Sequence, residues 1–148
     1  MIRMFKARPL LALISTGALL LAACHKNSTS TTTSPTPTPA AATITESFTA
    51  PIGIGGTIFY SFSFVAYGNT NITLTSVAGG GLPDGQTLGM GVGRPGATGC
   101  TTTNTVAATP SDTAQLTGTY GPGIYCVRVY DTGALTGPIT VAVTVAHS

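Results

Sequence analysis

Along the chain, apolar positions pass through three successive regimes. Leu10 to Ala23 is apolar or small throughout, interrupted only by Ser15, Thr16 and Gly17. Residues 25–43 begin His25-Lys26-Asn27 and are then almost entirely Ser, Thr, Pro and Ala, with no apolar period. From Ile44 to Ser148 the pattern is the period of two that places alternate side chains on one face of a strand. Thr57 to Ala66 sets Ile58, Tyr60, Phe62 and Phe64 on one face, and Ile72 and Leu74 repeat the alternation between threonines. Leu88, Met90 and Val92 alternate with Gly89, Gly91 and Gly93. Ile124 to Tyr130 and the series Ile139, Val141, Val143, Val145 are the clearest strands. Turn chemistry falls between them at Tyr67-Gly68-Asn69, Pro83-Asp84-Gly85, Gly121-Pro122-Gly123 and Gly133. Short strands at this spacing predict one all-β domain over residues 44–148, an antiparallel β-sandwich.

The apolar run near the start is too short to cross a bilayer, which takes about 20 apolar residues. Preceded by Arg3, Lys6 and Arg8 with no acid, it has the form of an export signal. It ends in Leu21-Ala22-Ala23-Cys24, which resembles the lipobox of bacterial lipoproteins at all four positions. The resemblance implies removal of residues 1–23, a diacylglyceryl group on Cys24 and a membrane partner reached through that lipid anchor. His25 after the cysteine, where inner-membrane retention in some bacteria uses Asp, favours the outer membrane over the inner. Residues 24–43 are then a disordered Thr/Pro-rich tether that buries nothing. Whether its hydroxyls carry sugar stays open.

Loss of the signal changes the charge. The formal +2 includes Arg3, Lys6 and Arg8. What remains is Lys26, Arg94 and Arg128 against Glu46, Asp84, Asp112 and Asp131, a slight negative excess. No basic patch survives to bind nucleic acid, and that partner class is set aside. Charged residues make up only 7% of the chain, so the surface must be largely hydroxyls, glycine and scattered apolar groups. With Cys24 lipidated, Cys100 and Cys126 form an even pair in an oxidising compartment and are expected to be a disulfide. Zinc is the weaker alternative, since two cysteines without nearby histidine leave its shell incomplete.

The stretch Gly121-Pro122-Gly123-Ile124-Tyr125-Cys126-Val127-Arg128-Val129 resembles the penultimate strand of bacterial pre-peptidase C-terminal domains. Phe59 to Phe64 and Ile72 to Leu74 occupy the corresponding earlier strands. The resemblance implies a jelly-roll-like sandwich acting as a non-catalytic appendage of secreted enzymes. The Cys100–Cys126 pair is not part of that pattern.

Several strings suggest chemistry. Gly91-Val92-Gly93-Arg94-Pro95-Gly96 has the spacing of a dinucleotide loop, but no helix pattern follows to supply free N–H groups. It reads as a glycine-rich loop. Asp131-Thr132-Gly133-Ala134 resembles the active-site turn of retroviral-type aspartic proteases, which pair two such aspartates. It lies too near the end of the chain for that role and reads as a hairpin turn between the last two strands. His25 sits in the tether and His147 is penultimate, so a Ser-His-acid set would need a frayed terminus to be rigid. Glu46, Asp84, Asp112 and Asp131 could serve calcium, but they are scattered. No catalytic residue, metal or cofactor is expected. The sequence thus reads as a non-catalytic cell-envelope lipoprotein in a structural or binding role, with an envelope protein or glycan as partner. The alternative is an accessory module that binds carbohydrate or peptide for a separate secreted enzyme, presenting an exposed row of aromatics drawn from Phe59 and Tyr67.

Overall fold

The computed structural model describes residues 42–148. The expected signal peptide, Cys24 and the tether up to residue 41 lie outside the described residues. Eight strands follow in order: β1 (Ile44–Ile52), β2 (Thr57–Phe64), β3 (Gly68–Ala78), β4 (Leu88–Gly96), β5 (Gly99–Ala108), β6 (Leu116–Tyr120), β7 (Gly123–Tyr130) and β8 (Ile139–His147). They form two antiparallel four-stranded sheets, ordered β1-β8-β3-β6 and β2-β7-β4-β5. The chain is a β-sandwich.

Alternation decides what each strand buries. Val141, Val143 and Val145 of β8 are fully buried, as suits a strand with partners on both edges. They face Ile72 and Leu74 of β3 within their own sheet and pack with Met90, Val92, Val127 and Val129 of the second sheet in a single core. Valine and isoleucine suit this role because branching at Cβ stiffens the side chain against the pleat. On β2 the inward face is Ile58, Tyr60, Phe62 and Phe64, with Phe62 and Phe64 buried.

The glycines of β4 have a different cause. The Gly91–Gly96 stretch is not a loop but part of a strand, paired with β5 throughout and with β7 as far as Gly93. Its register against β5 shifts between Val92 and Gly93, leaving Thr103 without a partner in the ladder. Such a bulge bends the strand that carries it. The start of β5 therefore lies over the outer face of the sheet, and a Cβ on Gly93 would collide with the carbonyl oxygen of Thr101. A Cβ on Gly89 would strike the ring of Tyr130. Gly93 thus clears space for the start of β5, and Gly89 for the ring of Tyr130.

The start of β5 is also stapled down. Cys100, near the start of β5, is bonded to Cys126 on the outward face of β7, with their Cα atoms 5.8 Å apart. Cys126 is fully buried beneath it. The bond closes a loop across 26 positions, which in the chain-entropy account is worth about 3–4 kcal/mol.

Two turns differ from expectation. Residues 65–67 make the β2–β3 bend, and Gly68 and Asn69 already belong to β3. Asp131 to Gly133 is not a hairpin turn, because β7 and β8 belong to different sheets. It opens a crossover between them.

Candidate functional site

Asp131 is placed by the end of β7 and faces two loops at once. Its Oδ1 accepts the backbone N–H groups of Gly133 (2.8 Å), Ala134 (2.8 Å) and Leu135 (3.1 Å). Its Oδ2 accepts the N–H of Gly55 in the β1–β2 turn at 2.8 Å. The N–H of Asp131 itself donates to the Gly56 carbonyl. The Gly55 bond, followed by the other three, holds the carboxyl below its ordinary value of 3.8. The aspartate in the protease-like string thus ties a turn to a crossover, with its acceptors engaged.

At the opposite end of the sandwich, Ile44 of β1 pairs with His147 of β8. This brings Glu46 and His147 together across 101 positions, with His147 Nε2 donating to Glu46 Oε1 at 3.1 Å. The Tyr60 hydroxyl donates to Glu46 Oε2 at 2.6 Å. His147 is only 3% exposed and lies against Phe62 and Phe64, at 5.4 and 5.1 Å between ring centres. The expectation of a frayed terminus at His147 is therefore corrected, because β8 is interior to its sheet and anchors the residue from both sides. The Tyr60 hydrogen bond, with His147 adding to it, holds Glu46 below its ordinary 4.5, against a smaller upward push from desolvation. The same bond raises Tyr60. This is an acid–histidine–tyrosine cluster closed upon itself.

The four acids do not converge. Among the described residues no three His, Cys, Asp or Glu side chains come together as a metal site.

The open chemistry lies on the outer face of the second sheet, where the folded-over start of β5 leaves a cleft of about 430 Å³. Its lining includes Thr57, Phe59, Gly99, Cys100, Thr102 and Arg128. Phe59 and Arg128 are direct cross-strand partners. Arg128 Nε donates to Thr57 Oγ1 at 2.8 Å, and its guanidinium stands 4.8 Å above the Tyr130 ring. Packing thus fixes the cation, while Phe59 remains half-exposed beside Gly99. An aromatic face, a held guanidinium and several hydroxyls can stack on and hydrogen-bond to a polar ring or chain.

Phe59 does face outward, in phase opposite to Ile58. Tyr67 lies elsewhere, in the β2–β3 bend beside Gly121, so the two do not form a row. Sequence reasoning overlooked the threonines of the cleft and Arg128. Their only trace was the threonine run after Cys100, which becomes informative once the bulge is known.

No protein-family model and no curated protein matches this chain. Among solved structures, Aeromonas hydrophila PliG, a periplasmic lysozyme inhibitor of g-type lysozyme, is similar with 16% identity and a TM-score of 0.49. That match covers 70% of this chain and 86% of PliG. The disulfide-linked pili of Bacillus endospore appendages are similar with 10% identity and a TM-score of 0.34. Here the coverage is 76% of this chain and 98% of the other. Neither likeness is close enough to carry a partner or an activity across.

Proposed function

We propose that the protein is a non-catalytic lipoprotein of the bacterial cell envelope, held at the outer membrane through a lipidated Cys24 and displaying its β-sandwich in a binding or structural role. The observation that supports this best is the engagement of the acid–base groups. Asp131 accepts four backbone N–H groups, and Glu46, Tyr60 and His147 close on one another. Acid–base chemistry needs such groups aimed at a substrate. Mass spectrometry of the mature N-terminus is expected to find acylated Cys24 as the first residue. An intact Leu21-Ala22-Ala23 before an unmodified thiol would overturn the anchor. Incubation with a mixed peptide library at acidic and neutral pH is expected to give no cleavage. Cleavage by the parent but not by Asp131→Asn would overturn the non-catalytic reading.

The cleft favours a second reading, that of an accessory module binding carbohydrate or peptide for a separate secreted enzyme. Retention on immobilised polysaccharides or peptides, weakened at least severalfold by Phe59→Ala with the melting temperature unchanged, would support it.

A further inference from the structure

The two ends of the sandwich differ in kind. One end gathers the start of β1, the β2–β3 bend, the β6–β7 turn, the tip of the β4–β5 hairpin and the C-terminus, as the pairings Ile44 with His147, Gly68 with Tyr120 and Phe64 with Gly123 require. This is the end at which the chain from Cys24 enters β1. Here stand Val65 (95% exposed), Tyr67 (80% exposed), Ile44 and Ile124, four of the six large exposed hydrophobic residues among those described. Arg94 belongs to the same end, stacked on Tyr125 and donating to the Ile124 carbonyl. Among the described residues the only acidic side chain at this end is that of Glu46, which is engaged by Tyr60 and His147. Asp84 and Asp131 belong to loops of the opposite end, and Asp112 lies in the β5–β6 connection that runs beside Leu74 and Ile72 in the middle of β3.

We propose that the entry end is a lipid-docking surface. Val65, Tyr67 and Ile124 sit at the headgroup boundary of the membrane that holds Cys24, Arg94 meets anionic headgroups, and none of the aspartates lies at this end. The inference rests on the lipid anchor proposed above. Anchoring alone does not orient the domain, because a chain the length of residues 25–43 reaches on the order of 60 Å, enough to let any face turn toward the bilayer. The entry end decides the orientation. Aliphatic side chains and tyrosine favour the boundary between headgroups and acyl chains, and basic groups favour anionic lipid. So few side chains would hold a free domain weakly, but a tether makes the contact intramolecular and raises its effective concentration.

The chain contains no tryptophan, so a single one reports its own surroundings. Full-length Tyr67→Trp and, at the far end, Ile54→Trp are processed in the cell and reconstituted into vesicles of phosphatidylethanolamine and phosphatidylglycerol. Brominated lipid is expected to quench the indole of Tyr67→Trp and shift its emission to the blue, leaving that of Ile54→Trp unaffected. Adding Val65→Ser and Ile124→Ser to Tyr67→Trp should abolish the quenching. Mass spectrometry of the same samples reads the anchor separately. Acylated Cys24 with neither variant quenched, or with Ile54→Trp quenched instead, overturns docking and leaves the anchor standing. If Cys24 proves unmodified, its free thiol is coupled to a maleimide lipid and the same quenching decides. A blue shift in Tyr67→Trp that grows with protein concentration in the absence of lipid would assign the surface to a second copy and overturn the proposal.

Discussion

A carboxylate that accepts four N–H groups is favoured in its charged form, and Asp131 is such a group. Replacing it with Ala strands the N–H of Gly55 and loosens the β1–β2 turn from the crossover. Asp131→Ala is therefore expected to lower the melting temperature, measurable by circular dichroism. Glu46 is held by different partners with the same sign. Its loss in Glu46→Ala leaves buried His147 without its carboxylate and is expected to cost about 1–3 kcal/mol in chemical denaturation. Both carboxyls lie below their ordinary values of 3.8 and 4.5 in the folded state. Their stabilisation is thus complete above those values and is lost as pH falls through the folded ones. The melting temperature should hold down to about pH 5 and then decline, and the double substitution should flatten that decline.

At the scale of elements, β4 and the hairpin above it form one device. The strand's glycines admit the start of β5, the bulge at Thr103 turns it, and the disulfide retains it. Gly93→Val should displace the hairpin and cost about 1–3 kcal/mol in a denaturant series. Cys100→Ala together with Cys126→Ala should cost about 3–4 kcal/mol and open the cleft beside Phe59. The strands that alternate strongly, β2, β4, β7 and β8, were legible in the sequence because a period of two is a local signal. β5 and β6 were not. Their threonine, glycine and asparagine residues carry no apolar alternation, and they are strands because neighbouring strands complete their hydrogen bonds. The Glu46–His147 contact was beyond reach for the same reason, since only the pairing of β1 with β8 creates it.

For the whole molecule, β1 begins at Ile44. A chain starting at Thr43 is expected to melt within a degree or so of one starting at Cys24, whereas deletion of Ala146–Ser148 should prevent cooperative folding. The asymmetry follows from position. The first cut leaves β1 whole, while the second shortens β8, which lies between β1 and β3 in the middle of its sheet. The order of synthesis gives that arrangement a further meaning. The first strand waits for the last, far along the chain, before it has anything to pair with. Such distant pairing slows folding, since the chain entropy of the whole loop must be lost first. A chain that emerges N-terminus first therefore leaves β1 without its hydrogen-bonded neighbour until the valines of β8 have been made.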